Sequence, residues 1–244
     1  MKPNNIFKNQ SLEFWANIKL LNQRLGYVLR QSPRNPNGGF IIPTEEQIKN
    51  VFIKENLNYS KILDQNDKFT EFGRLIVSYM EYRSILLIEI VHPNLMDKEE
   101  AKELFYSLKD RLNPQISLPL NKQTGEKKDF AYLTGIVNML INENKEDFDC
   151  DFDPKELTAI TQDGFPLRTL SRRVDGAFPT VINPIAIWEI KEYYYTTTFG
   201  SRVADGVYET QLDGWELSEA EENLNHKVQH YLIVDDRFTW WTKG

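Results

Sequence analysis

The run Ile185-Ala186-Ile187-Trp188-Glu189-Ile190-Lys191-Glu192-Tyr193-Tyr194-Tyr195 limits the fold of this chain more than any other stretch. It is β-branched and aromatic, is entered by Pro184 and ends before Gly200, which is the composition and punctuation of a strand. Side chains alternate along a strand. Ile185, Ile187, Glu189, Lys191, Tyr193 and Tyr195 therefore share one face, and Ala186, Trp188, Ile190, Glu192 and Tyr194 the other. Both faces begin apolar, the pattern of a central strand covered on both sides. A carboxylate and an ammonium then appear on one face. Buried charge is costly unless it is paired or bound to a metal. A same-face ion pair is one explanation and a metal site is the other.

The flanking segments extend the pattern. Upstream, Ser171-Arg172-Arg173-Val174-Asp175-Gly176-Ala177-Phe178-Pro179 brings Asp175 to a neighbouring strand. Downstream, Thr196 to Gly200 reads as a loop and Ser201 as the N-cap of a helix that starts at Arg202. Val203, Val207, Tyr208, Leu212 and Trp215 recur along that helix at helical spacing. A helix N-terminus directly after a central strand is a natural phosphate site, and a cation in its first turn opposes the helix dipole. Arg202, with Ser201 and Arg173, is thus a candidate for binding phosphate, with a solvated surface arginine as the alternative. Tyr231-Leu232-Ile233-Val234 reads as a buried parallel strand that closes a β-α-β unit.

Asp175, a gap, and Glu189-Ile190-Lys191 together resemble the PD-(D/E)XK nuclease superfamily, whose best-known members are type II restriction endonucleases. The resemblance spans about residues 165 to 236 and rests on Asp175, Glu189 and Lys191. Val174 stands where the family name has proline. The resemblance implies an α/β fold: a mixed central sheet flanked by helices, a restriction endonuclease-like core, preceded by a mainly helical N-terminal region. It also implies that a helix precedes the catalytic strands and sometimes donates an acid. Glu143 and Glu146 lie at the end of that helix here.

The residue types suit the chemistry. Mg²⁺ takes hard oxygen ligands, usually one or two carboxylates plus substrate phosphate, and Mn²⁺ is expected to substitute. Asp175 and Glu189 are the expected ligands, joined by the main-chain carbonyl of Ile190. Lys191 on the same face is placed to orient the attacking water or help accept its proton. Without metal, the two carboxylates are expected to have only Lys191 to offset them. The implied activity is hydrolysis of double-stranded DNA by a homodimer, because a palindromic site mirrors a two-fold axis. Two rivals stand beside it: a structure-specific repair or recombination nuclease of the same superfamily, and a noncatalytic DNA-binding or partner-binding protein that keeps only the sheet.

Within 244 residues, two regions are expected, a helical one over 1–128 for DNA recognition or dimerisation and a catalytic core over 129–244. Helices are predicted over Leu12 to Gln31, Thr44 to about Asn56, Phe69 to Val91, Asp97 to Leu112 and Asp129 to Asn144. The loop over residues 32–39 carries Arg34 and several amides, residue types that read base edges. No apolar run reaches the roughly eighteen residues of a membrane span. The N-terminus lacks an apolar signal core, and the single cysteine, Cys150, excludes an internal disulfide and a cysteine-rich zinc site. A cytoplasmic protein is expected.

The net charge of −7 counts against strong nonspecific binding to nucleic acid. Its distribution is uneven, however: seven acids and no lysine or arginine lie between Asp205 and Glu222, while Arg168, Arg172, Arg173, Lys191 and Arg202 surround the proposed site. His226 and His230 have helical metal spacing, but read as solvated or capping histidines because a strand follows them at once. The paired Trp240 and Trp241 read as exposed.

Overall fold

The computed structural model describes residues 4–26, 28–29, 39–121, 129–194, 201–224 and 226–243, without the side chains of 201, 202, 242 and 243. The chain forms two compact units, Met1–Asn94 and Leu95–Gly244.

The first unit is built from capped helices. Asn4 caps α1 (Asn5–Lys8), and Ser11 caps α2 (Leu12–Leu25) by accepting the Phe14 amide at 3.2 Å. Sequence alone carries α2 on to Gln31; the helix instead stops where Gly26 takes φ 78°, a conformation that glycine adopts without steric cost. Two short strands follow, β1 (Val28–Leu29) and β2 (Gly39–Phe40), paired antiparallel. The loop between them, including Arg34, lies outside the described residues. Thr44 and Gln47 form the predicted capping box of α3 (Glu45–Lys54). α4 (Glu71–Leu86), capped by Thr70, continues through a π-helical turn (Leu87–Val91) into the short α5 (His92–Asn94). Phe14, Ile18, Leu21, Ile48, Ile76 and Met80 make the core.

The second unit begins with α6 (Lys98–Leu112), whose N-cap Asp97 forms a capping box with Glu100. Its Phe105 lies against Gly135 of α7 (Tyr132–Asn144), where any side chain would collide with the ring. This packing places α6 with the sheet-bearing unit, so the division falls after Asn94 and not after residue 128.

A mixed four-stranded sheet follows. The strands are β3 (Asp151–Phe152), a hairpin of β4 (Ala159–Gln162) and β5 (Phe165–Thr169), then β6 (Gly176–Phe178) and β7 (Ala186–Glu192). α8 (Ser201–Leu224) then crosses over to β8 (Gln229–Asp235). The sheet order is β3-β6-β7-β8, with β3–β6 and β6–β7 antiparallel and β7–β8 parallel in the expected β-α-β unit. The hairpin lies outside this sheet. It turns at Asp163 and Gly164, both with positive φ, and exposes Phe165, Pro166 and Leu167.

β7 is the central strand that its pattern predicts. Ile187 packs with Leu170, Val174, Ala177, Val181 and Leu217 of α8. On the opposite face, Trp188 and Ile190 pack with Leu133, Val137 and Ile141 of α7. Gly176 sits opposite Trp188 in the ladder, and a β-carbon there would fall within the indole. A π-helical turn (Phe238–Lys243) follows β8, and Trp240 packs on Tyr193 at 5.7 Å between ring centroids. The two tryptophans are half-buried, not exposed.

α8 reverses expectation. Tyr208 and Trp215 are 67% and 80% exposed, and Val207 and Leu212 also face outward. Of the predicted apolar stripe only Val203 is buried. The face turned to the sheet carries Val203, Asp213, Glu216, Leu217 and Ala220.

Candidate active site

Asp175 immediately precedes β6, and its backbone N–H donates to the Trp188 carbonyl at 3.1 Å. Its side chain continues the ladder: Oδ2 accepts the Ile190 N–H at 2.7 Å. Asp175 therefore lies beside Glu189-Ile190-Lys191, as the sequence motif requires. Burial, and then the charge of Glu189, push the Asp175 carboxyl up to about 6 against the opposing Ile190 amide, Lys191 and Arg172.

Glu189 is wholly buried. Arg172 grips it with two prongs, Nη1 to Oε1 at 2.8 Å and Nη2 to Oε2 at 3.2 Å, and Lys191 Nζ adds a third contact to Oε2 at 3.0 Å. The expectation that Lys191 alone offsets the carboxylates is thus corrected: Arg172 shares the task and makes the two-pronged contact to Glu189, from a segment that enters the site beside Asp175.

Arg172 and Lys191 are also shared with α8. Arg172 Nη1 donates to Asp213 Oδ2 at 2.7 Å, and its Nη2 lies 3.4 Å from Glu209 Oε2. Lys191 Nζ donates to the same Glu209 oxygen at 2.8 Å. Burial opposes the charge on both cations, but the carboxylates outweigh it and hold each above its ordinary value. Asp213, also wholly buried, is pushed up to about 6 by burial first, with Glu189 and Glu216 adding and Arg172 opposing. Its Oδ1 is buried without a hydrogen-bond partner. Glu216 pins the arginine-bearing segment by accepting the Ser171 N–H at 2.9 Å, the Ser171 hydroxyl at 2.6 Å and Arg168 Nη2 at 3.0 Å.

Hydrophobic periodicity does not single out these three acids as site residues. Glu209, Asp213 and Glu216 recur at helical spacing on the helix that follows the Glu-x-Lys strand, and that phase was the available signal. Glu143 is exposed at the end of α7, which packs on the other face of β7, so it does not join the cluster. Gly206 of α8 lets Lys191 pass: a β-carbon there would meet Lys191 Cδ and Cε at 3.2 Å and the Tyr193 hydroxyl at 3.0 Å.

Asp175 opens onto a cleft of about 600 Å³ lined also by Asp153, Lys155, Ser171, Arg172 and Arg173. Arg173 is exposed on its wall. The side chains of Ser201 and Arg202 lie outside the described residues, and only their place in the first turn of α8 is known. His230 on β8 is half-buried rather than solvated; burial, with Arg172 adding, lowers its pKa.

The donor set fits a hard cation, because it consists of carboxylate oxygens and includes the unpartnered Asp213 Oδ1. As the side chains stand, with Arg172 between Glu189 and Asp213, no three acids, histidines or cysteines among the described residues are gathered for metal binding.

Residues 96–244 match the family described as domain of unknown function DUF7687, and the chain belongs to it. Residues 1–90 match a second such family, DUF7690. No curated protein and no solved structure matches the chain.

Proposed function

We propose that the Leu95–Gly244 unit is a metal-dependent DNA endonuclease with a restriction endonuclease-like core, acting in the manner of a type II restriction enzyme. One observation carries the reading. Asp175, at the head of β6, is bonded through its side chain to the Glu189-x-Lys191 segment of the paired strand β7, and Asp175 itself lines an open cleft with Asp153, Lys155, Arg172 and Arg173. A duplex backbone in that cleft would meet cations suited to phosphate oxygens, with Arg able to make two-pronged contacts.

Asp175, Glu189 and the Ile190 carbonyl are the proposed holders of Mg²⁺ or Mn²⁺. The chemistry such an ion supplies is Lewis acidity toward the phosphate and a lowered pKa for water. Lys191, held protonated by Glu209 and Glu189, acts as a donor that orients the attacking water and stabilises charge on the phosphate oxygens. Its ammonium has no lone pair with which to take a proton. Arg173 on the cleft wall, with Ser201 and Arg202 at the start of α8, is proposed to hold flanking phosphates. A homodimer on a palindromic site is part of the same reading.

The full satisfaction of Glu189 by Arg172 and Lys191 favours a second reading, in which the network is structural and the protein binds DNA or a partner without cutting. Digestion of mixed-sequence double-stranded DNA with Mg²⁺, followed by sequencing of fragment ends, separates the two. Cleavage that depends on metal and is lost in Asp175→Ala, Glu189→Ala and Lys191→Ala supports the nuclease. No cleavage by the folded parent overturns it.

A further inference from the structure

Three carboxylates, Glu189, Glu209 and Asp213, are paired with two cations, Arg172 and Lys191, and a fourth, Asp175, lies beside them, bonded to the Ile190 amide. The nearby Arg168 is taken by Glu216 and Glu219, and Arg173 faces solvent. The excess is two negative charges, the charge of one divalent cation. Arg172 Nη1 stands between Glu189 Oε1 at 2.8 Å and Asp213 Oδ2 at 2.7 Å, bridging the two wholly buried acids of the group. Asp213 turns one oxygen to the arginine and leaves the other, Oδ1, buried and unpartnered. An unsatisfied buried oxygen of a charged group is costly, and a hard cation is the partner that carboxylate oxygens take up.

The geometry points to Asp213 of α8 as a further ligand for the divalent cation, with Arg172 as an internal cation that holds the acids in place and yields them when the ion binds. This rests on the metal-dependent reading above and adds a ligand from a helix to a set otherwise drawn from strands. Arg172 sits on the segment lining the cleft, so a guanidinium released from Glu189 and Asp213 has the cleft to turn into, where a phosphate is its natural partner.

The test titrates the full-length protein with Mn²⁺ alone, without DNA, and follows free Mn²⁺ by electron paramagnetic resonance. The parent is expected to bind, and Asp213→Asn to bind at least about 10–100-fold more weakly, the loss that removing even an outer-shell partner of a metal ligand brings. Glu222→Gln, exposed on the same helix and outside the cluster, is expected to bind like the parent. Arg172→Lys keeps the charge and loses the two-pronged grip, so it is expected to bind Mn²⁺ more tightly. Parent-like binding by Asp213→Asn overturns the assignment and leaves the Asp175–Glu189 site standing; no binding by the parent overturns both. Should Asp213→Asn fail to fold, unchanged or weaker binding by Arg172→Lys overturns the proposal. Asp213-dependent binding in a protein that cuts no DNA keeps the metal ligand and removes the nuclease.

Discussion

β7 carries a glutamate on each of its faces, Glu189 wholly buried and Glu192 half-buried, and the two are held in different ways. Glu189 lies under α8 and is neutralised by side-chain cations, Arg172 and Lys191, which also serve Glu209 and Asp213. Glu192, on the α7 face, accepts the Thr134 N–H at 3.1 Å and the Thr134 hydroxyl at 3.2 Å. The N-cap residue of α7, Ala131, has no capping side chain, so a strand residue supplies the missing acceptor at the positive end of the helix. Burial still raises the Glu192 pKa, against the amides of Thr134, Tyr132 and Leu133. Main-chain donors cannot leave without unwinding the helix, whereas a guanidinium on a side chain can rotate away. The arrangement at Glu192 is a structural joint and the one at Glu189 is exchangeable, which is why the candidate site is read on the α8 face.

Removing the exchangeable cation tests the contrast most severely. Arg172→Met leaves Glu189 and Asp213 buried together with only Lys191 nearby, and is expected to destabilise the protein by about 3–5 kcal/mol in chelator, the range for breaking a buried ion pair. Urea unfolding with and without Mn²⁺ checks it. The metal is expected to restore part of the loss, and no restoration would make the arginine purely structural.

A pH series in chelator gives the next largest effect. Asp175 and Asp213 have folded pKa values of about 6, raised above those of the unfolded chain. The stability that each contributes is therefore present below about pH 4 and lost as pH rises through about 6. Relative to Asp175→Asn, the parent is expected to lose on the order of 2–3 kcal/mol between about pH 4 and pH 7. Parallel stability curves for the two proteins would mean that Asp175 is better solvated than its burial indicates.

On the opposite face, Glu192→Gln keeps one acceptor for Thr134 and loses the negative charge at the helix start. A change of about 1 kcal/mol or less is expected, with Mn²⁺ binding unchanged. A metal effect at this position would break the division between joint and site.

The central strand, its two-sided cover, the parallel pairing of β8 and the pairing of Asp175 with Glu-x-Lys were legible in alternation and composition. β8 is not the buried strand expected, however: it lies at the edge of the sheet with Tyr231 and Leu232 exposed. The α8 face was not legible. Tyr208, Leu212 and Trp215 form an apolar stripe that periodicity assigns to the core, yet they face solvent. Glu209, Asp213 and Glu216 turn toward the sheet because Arg172, Lys191, Arg168 and Ser171 wait there. Hydrophobic phase is blind to partners supplied from elsewhere in the chain, so a helix over a charged site is where such reading inverts. The end of α2 was missed for a local reason: the apolar pattern runs past Gly26, whose positive φ ends the helix.

The β4–β5 hairpin stands close to all of this and is tied to it near its root, where Arg168 pairs with Glu216 and Glu219 of α8. At its root Leu170 N–H donates to the Thr158 carbonyl at 2.9 Å and Ala159 N–H to the Val181 carbonyl at 2.9 Å. Leu170 is itself buried, and Ser171 is clamped by Glu216. At its tip, Asp163, Gly164 and Phe165 are exposed, and the pairing there is that of Gln162 with Phe165. A load applied to Phe165 is thus carried into the sheet at Val181 and into α8 at Glu216 before it reaches Arg172. The appendage is bolted at its root, and the arginine two residues beyond Leu170 is held by contacts that do not include the exposed tip.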